Sequence, residues 1–161
     1  MSIFEFPNPV NENSARLVAS GVVVLSAVAL ATGWLWLYIA VAAGFWLRLL
    51  FGPRVSPLAL LVTKAVVPRL TVEPRWTPGP PKRFAQGVGV AFSTTAVVLL
   101  ASGSDTAASV VLAALIVAAS LEAFANVCLG CKIFAVLMRV GVVPESVCER
   151  CADGAYVQPL G

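Results

Sequence analysis

The four cysteines of the chain form two CxxC pairs near its C-terminal end, Cys128 with Cys131 and Cys148 with Cys151. Sixteen residues separate the pairs, and the chain contains no histidine. Two residues between sulfurs allow one turn of backbone to direct both at a single ion, and two such turns complete a tetrahedral shell of four thiolates. This ligand set predicts zinc first, with iron as the alternative. Because the shell has no open position, such a site would be structural.

The same cysteines could instead carry electrons or sulfur, which requires a reactive thiolate. A helix N-terminus stabilises a thiolate and a helix C-terminus does not. If the preceding helix continued through the first pair, Cys128 and Cys131 would lie at its unfavourable end. A break at Gly130 would place Cys131 at the start of the next helix instead. For sulfur transfer, Cys148 and Cys151 would be the pair that a partner reaches. The remaining alternative is reduced cysteines that only fill space.

The composition places these cysteines in a membrane protein. The chain has 161 residues, of which 59% are hydrophobic and 12% charged, and its mean hydropathy is +0.90. A soluble domain of this size could not bury so much apolar surface. The net charge of +3 comes from dispersed basic residues, so nucleic acid is not an expected partner.

Two apolar blocks predict four spans. Residues 17–47 carry no charge, and one helix of that length would measure about 46 Å against a hydrocarbon core of roughly 30 Å. A hairpin fits better, with helices over residues 14–32 and 34–51. The second block predicts helices over residues 84–102 and 106–127, separated by a GSD turn. The candidate N-caps are Asn11, Asn13, Ser104 and Asp105.

The segment between the hairpins is rich in proline and arginine. Five of the eleven prolines fall between positions 68 and 81, which prevents a continuous helix there. A short helix over residues 57–67 could lie along the membrane surface with Lys64 toward the lipid headgroups.

The basic residues predict the orientation. With four spans, all eleven lysines and arginines fall on the side of the two termini, and the two opposite turns have none. The positive-inside rule therefore places both termini, the central loop and all four cysteines in the cytoplasm. The expected organisation is one membrane domain with segments at 1–13, 14–51, 52–83, 84–127 and 128–161.

Glu122 is the one carboxylate inside a predicted span. A charge at mid-membrane costs roughly 2.5 to 3.5 kcal/mol, so Glu122 should face other helices and find a partner. Arg48 is the first candidate and Arg16 the second, and Asn126 lies one turn further along nearly the same face. The pair could simply fix how the hairpins pack, or it could form a proton or anion site beneath the cysteines.

Four sequence stretches carry a family resemblance: FPNPVNENSAR, RLLFGPRVSPL, PPKRFAQGVG and CLGCKIF. Together they resemble the bacterial membrane proteins grouped as domain of unknown function 4395. The resemblance spans nearly the whole chain and implies a fold but no activity. Some members have neighbouring genes for thioredoxin-like and rhodanese-type proteins, which implies a thioredoxin-like or sulfurtransferase partner.

The sequence thus predicts an all-α membrane protein: four transmembrane helices as two hairpins, a cytoplasmic interfacial loop with a helix, and a short C-terminal helix that carries the C-x2-C...C-x2-C site. Three functions remain open. The first is a cytoplasm-facing thiol site for redox or sulfur transfer. The second is a non-enzymatic subunit or scaffold of a larger membrane complex, held by structural zinc. The third is a small oligomeric transporter built around Glu122 and Arg48.

Overall fold

The computed structural model describes residues 10–52, 55–69 and 75–147, and the fold is all-α, as predicted. The helices are α1 (Glu12–Thr32), α2 (Leu35–Phe51), α3 (Pro57–Leu61), α4 (Gly79–Ala101), α5 (Asp105–Ala125) and α6 (Leu129–Arg139). Cys148 and Cys151 lie outside the described residues.

Specific capping residues mark the start and the end of α1. Asn11 caps α1, because its side-chain oxygen accepts hydrogen bonds from the backbone N–H groups of Asn13 at 3.0 Å and Ser14 at 3.5 Å. Gly33 ends α1 with φ at +66°, a left-handed conformation that glycine adopts without steric cost. Only Gly33 and Trp34 separate α1 from α2.

The central segment is docked against α1. After α3 the chain continues in wider helical turns over Val62–Val66. Leu58 packs so closely on Gly21 that a Cβ there would lie 2.7 Å from a Leu58 methyl carbon. Ala59 and Val62 are buried with Val18 of α1. The helix predicted over residues 57–67 is therefore an α-helix only as far as Leu61, and this segment packs on α1.

Two short strands join the start of the chain to the end of this segment. They are β1 (Val10–Asn11) and β2 (Trp76–Thr77), and they pair antiparallel. The backbone N–H of Glu12 also donates to the carbonyl oxygen of Arg75 at 2.8 Å. The start of α1 is thereby fixed beside the start of α4.

The four long helices pack in a ring, in which α1 contacts α2 and α5, and α4 contacts α2 and α5. One cluster of buried apolar side chains fills the ring, and Tyr38, Leu112, Ala29, Ala96 and Ala108 are almost completely inaccessible. Small residues let the helices approach closely. A Cβ at Gly89, for example, would overlap the Phe45 ring.

Three helices, α1, α4 and α5, are long and apolar enough to cross a membrane. Their outward faces are also apolar: Val24, Val98, Val110 and Val117 are each at least 60% exposed. Such faces suit a lipid environment. The helix α2 is apolar as well but shorter, with 17 residues.

Candidate functional site

A buried ion pair joins α4 to α5. The ammonium nitrogen of Lys82 lies 2.7 Å from Oε1 of Glu122, and the two side chains are only 6% and 18% exposed. The prediction that Glu122 pairs with Arg48 or Arg16 was wrong. Lys82 was assigned to the loop because two prolines precede it, yet α4 begins at Gly79 with those prolines in its first turn. The first turn of a helix needs no backbone donor, so proline is tolerated there.

Arg48 is a second buried cation at this level. Arg48 is only 4% exposed, and its Nε donates a hydrogen bond of 2.9 Å to the amide oxygen of Gln86 on α4. The guanidinium carbon lies 4.5 Å from the centre of the Phe45 ring. The carboxylate of Glu122 attracts this guanidinium electrostatically. One carboxylate therefore faces two buried cations.

Arg16 and Asn126 mark the edge of this polar layer. Arg16 donates from Nε and Nη2 to the carbonyl oxygen of Ala123, at 3.2 and 3.1 Å. Asn126 ends α5 in a left-handed conformation with φ at +56°. The predicted helix to residue 127 was therefore too long, and Asn126 is the C-cap of α5 and not part of its last turn.

The first cysteine pair lies at the N-terminus of α6. Cys128 is the N-cap residue, and its sulfur accepts a hydrogen bond of 3.4 Å from the backbone N–H of Cys131. Cys128 is half-buried and Cys131 fully buried, and both are thiols rather than a disulfide. The break between α5 and α6 spans residues 126–128. The chain thus neither continues straight through the pair nor breaks at Gly130.

The electrostatics of this pair favour the neutral thiol. A hydrogen bond with the Cys131 side chain and then burial raise the pKa of the Cys128 thiol well above its ordinary value, and Lys82 acts in the opposite direction. At neutral pH Cys128 is therefore protonated in this conformation, which makes it a poor nucleophile until a proton is removed. Lys82 interacts electrostatically with both cysteines and with Glu122. The thiols thus lie within electrostatic range of the ion pair.

Close packing of α6 on α4 holds the cysteines in place. A Cβ at Gly130 would lie 2.6 Å from the Cα and Cβ of Ala85, so only glycine permits this approach. The rings of Phe84 and Phe134 meet nearby, with centroids 5.7 Å apart. Cys131, one residue from Gly130, is consequently inaccessible to solvent.

The second predicted pair, Cys148 and Cys151, lies outside the described residues. Within residues 10–52, 55–69 and 75–147, no three potential ligand side chains lie close enough together to hold a metal ion. Lys82 and Gln86 are the functional candidates that sequence reasoning missed. Their spacing of four residues after Pro80 and Pro81 was the available signal, since it places both on one helix face.

The comparison with known families matches residues 10–139 to a family described as Domain of unknown function (DUF4395). The chain belongs to this family. The match covers every helix described above, including the ion pair and the first cysteine pair of this DUF4395 chain. No curated protein and no solved structure matches the chain.

Proposed function

We propose that this chain is a four-span protein of the bacterial plasma membrane whose cytoplasmic end carries a thiol site for redox or sulfur transfer. The fourth span is α2. Its 17 residues extend about 25 Å, near the lower limit for crossing a hydrocarbon core. Only two residues join it to α1 and it packs against α1. Such a connection returns the chain to the side on which α1 begins, so α1 with α2 and α4 with α5 form two hairpins.

The contacts of the polar layer support this arrangement. Arg16 near the start of α1 reaches Ala123 near the end of α5, and Lys82 at the start of α4 reaches Glu122. The starts of α1 and α4 therefore lie at the same end as the end of α5. Exposed cations follow on α6 at that end. The positive-inside rule assigns such an end, with both termini, to the cytoplasm.

The observation that carries the functional proposal is the position of Cys128 at the N-terminus of α6, half-buried, with Cys131 buried behind it. A CxxC pair in this position is typical of thiols that exchange with a partner. A partner can reach the half-buried Cys128, and the buried Cys131 can resolve the mixed disulfide that forms on Cys128. Cys148 and Cys151 would form the accessible pair that meets a thioredoxin-like protein, a sulfurtransferase or a larger membrane complex.

Two reactions fit this pair. In redox exchange, the Cys128 thiolate attacks a partner disulfide and releases one partner thiolate. Cys131 then attacks Cys128, releases the second partner thiolate and closes the intramolecular disulfide, so two thiols are oxidised and one disulfide is reduced. In sulfur transfer, the Cys128 thiolate takes the outer sulfur of a partner persulfide and releases the partner as a thiol. Both reactions begin with loss of a proton from Cys128.

A structural zinc site is the alternative. The backbone N–H of Cys131 donates a hydrogen bond to the Cys128 sulfur, so both cysteines lie on one turn of backbone. Half of a four-thiolate shell requires such a turn. Cys148 and Cys151 would supply the other half. Zinc would then hold the C-terminal segment against α6, and the chain would act as a scaffold or subunit.

Metal and thiol analysis of anaerobically purified protein separates the two proposals. Redox or sulfur transfer predicts four titratable thiols per chain or a persulfide, with no stoichiometric metal. It also predicts that Cys131→Ser accumulates a mixed disulfide on Cys128, while Cys128→Ser does not trap one on Cys131. Structural zinc predicts about one zinc ion per chain, and loss of protein yield when any of the four cysteines becomes serine.

A further inference from the structure

The helix α6 has two different faces. Gly130, Cys131 and Phe134 are buried against the bundle. The opposite face is apolar and exposed, and consists of Leu129, Ile133, Val136 and Val140, which are 40, 47, 58 and 69% exposed. These four residues recur at spacings of four, three and four, so they form one stripe along the helix. We call this stripe the outer face of α6.

Two cations flank the outer face. Lys132 and Arg139 are exposed, and seven residues, close to two turns, separate them on the same side. No acidic residue occurs between Leu129 and Arg139. A helix with an apolar stripe bordered by basic residues is typical of segments that lie in the headgroup region of a membrane.

The position of α6 in the chain matches that environment. The preceding helix, α5, is long and apolar enough to cross a membrane and ends at Ala125. Only three residues separate its end from Leu129. The outer face therefore begins within a few ångströms of the level at which α5 leaves the hydrocarbon.

We propose that the outer face of α6 binds anionic phospholipid. The apolar stripe enters the boundary between headgroups and acyl chains, and Lys132 and Arg139 pair with the lipid phosphates. Because Gly130 and Cys131 occupy the inner face, this contact presses the helix onto α4 and keeps Cys131 covered. The proposal needs α5 to cross the membrane, but it is independent of the chemistry that the cysteines perform.

Hydrogen–deuterium exchange on the full chain in lipid nanodiscs tests the proposal. One set of discs contains phosphatidylcholine alone, and the other contains phosphatidylglycerol as well. The attraction of two cations to an anionic surface should raise the protection of the α6 amides by up to roughly 30-fold in the second set. The amides of α5 serve as the internal reference and should not change.

Two matched variants assign the effect to charge. Lys132→Gln with Arg139→Gln should lose the rise in protection, whereas Lys132→Arg with Arg139→Lys keeps both charges and should retain it. The proposal is overturned if wild-type α6 is equally protected in both sets of discs, or if the neutral variant responds as strongly as the wild type. It is also overturned if protection depends on the number of copies per disc and not on lipid charge, since the outer face would then bind a second copy of the chain.

Discussion

Removing the Glu122 carboxylate should destabilise the protein more than removing its partner ammonium. Glu122 is the carboxylate that faces Lys82 at 2.7 Å and also attracts the buried Arg48. Glu122→Gln leaves both cations buried without a counter-charge. Lys82→Met leaves Glu122 still attracted by Arg48. Breaking a buried pair costs about 3–5 kcal/mol, so we expect about 4 kcal/mol for Glu122→Gln and about 3 kcal/mol for Lys82→Met.

The double variant completes the test. Lys82→Met with Glu122→Gln removes both charges, so its cost should fall below the sum of the single costs by about 2 kcal/mol. Arg83→Gln is the matched control, because it removes an exposed cation next to Lys82 and should change stability by less than about 0.5 kcal/mol. Reversible unfolding in mixed micelles, followed by circular dichroism, supplies the free energies. Additive single effects would contradict a direct interaction between Lys82 and Glu122. A smaller effect of Glu122→Gln than of Lys82→Met would show that Glu122 does not stabilise both buried cations.

Three further predictions concern the helix ends and the cysteines. Gly130→Ala should cost about 1–3 kcal/mol of unfolding free energy, because the new Cβ meets Ala85. Gly87→Ala, where a Leu49 methyl carbon would lie 4.0 Å from the new Cβ, should instead gain up to about 1 kcal/mol, and equal effects of the two substitutions would contradict the close packing of α6 on α4. Asn11→Ala should cost about 1 kcal/mol through loss of the α1 cap, whereas Asn11→Asp should cost little in the same unfolding assay. Alkylation of Cys128, followed by peptide mass spectrometry, should be slower in the folded protein than in the denatured protein at neutral pH, because the pKa of the folded thiol is raised. The alkylation rate should increase as the pH rises. A rate independent of pH would contradict a protonated thiol.

The sequence predicted the elements well where one local signal decided them. Asn11 was one of the two predicted candidates for the cap of α1 and is the one observed. The boundary at Thr32 and Gly33 followed from glycine at a point where a single helix would be too long. These features depend on neighbouring residues only, so one sequence is enough to find them.

The site was harder to predict because its decisive contacts join distant parts of the chain. Pro80 and Pro81 indicate a loop by composition, and only the spacing of Lys82 and Gln86 after them signals that they occupy the first turn of α4. Because the two prolines lie in that turn, Lys82 lies in a buried layer, and Lys82 rather than Arg48 is the direct partner of Glu122. The end of α5 was likewise predicted two residues too late, because Asn126 adopts a left-handed conformation that its sequence neighbours do not signal.

In the topology that we propose, the cysteine-bearing end of the chain faces the cytoplasm. The most direct measurement adds a membrane-impermeant maleimide to intact cells that express the full chain, or the chain with Ser104→Cys in the exposed turn at the opposite end. We expect the maleimide to label only the introduced cysteine in intact cells, and to label Cys148 and Cys151 only after the cells are permeabilised. Labelling of Cys148 or Cys151 in intact cells would contradict it.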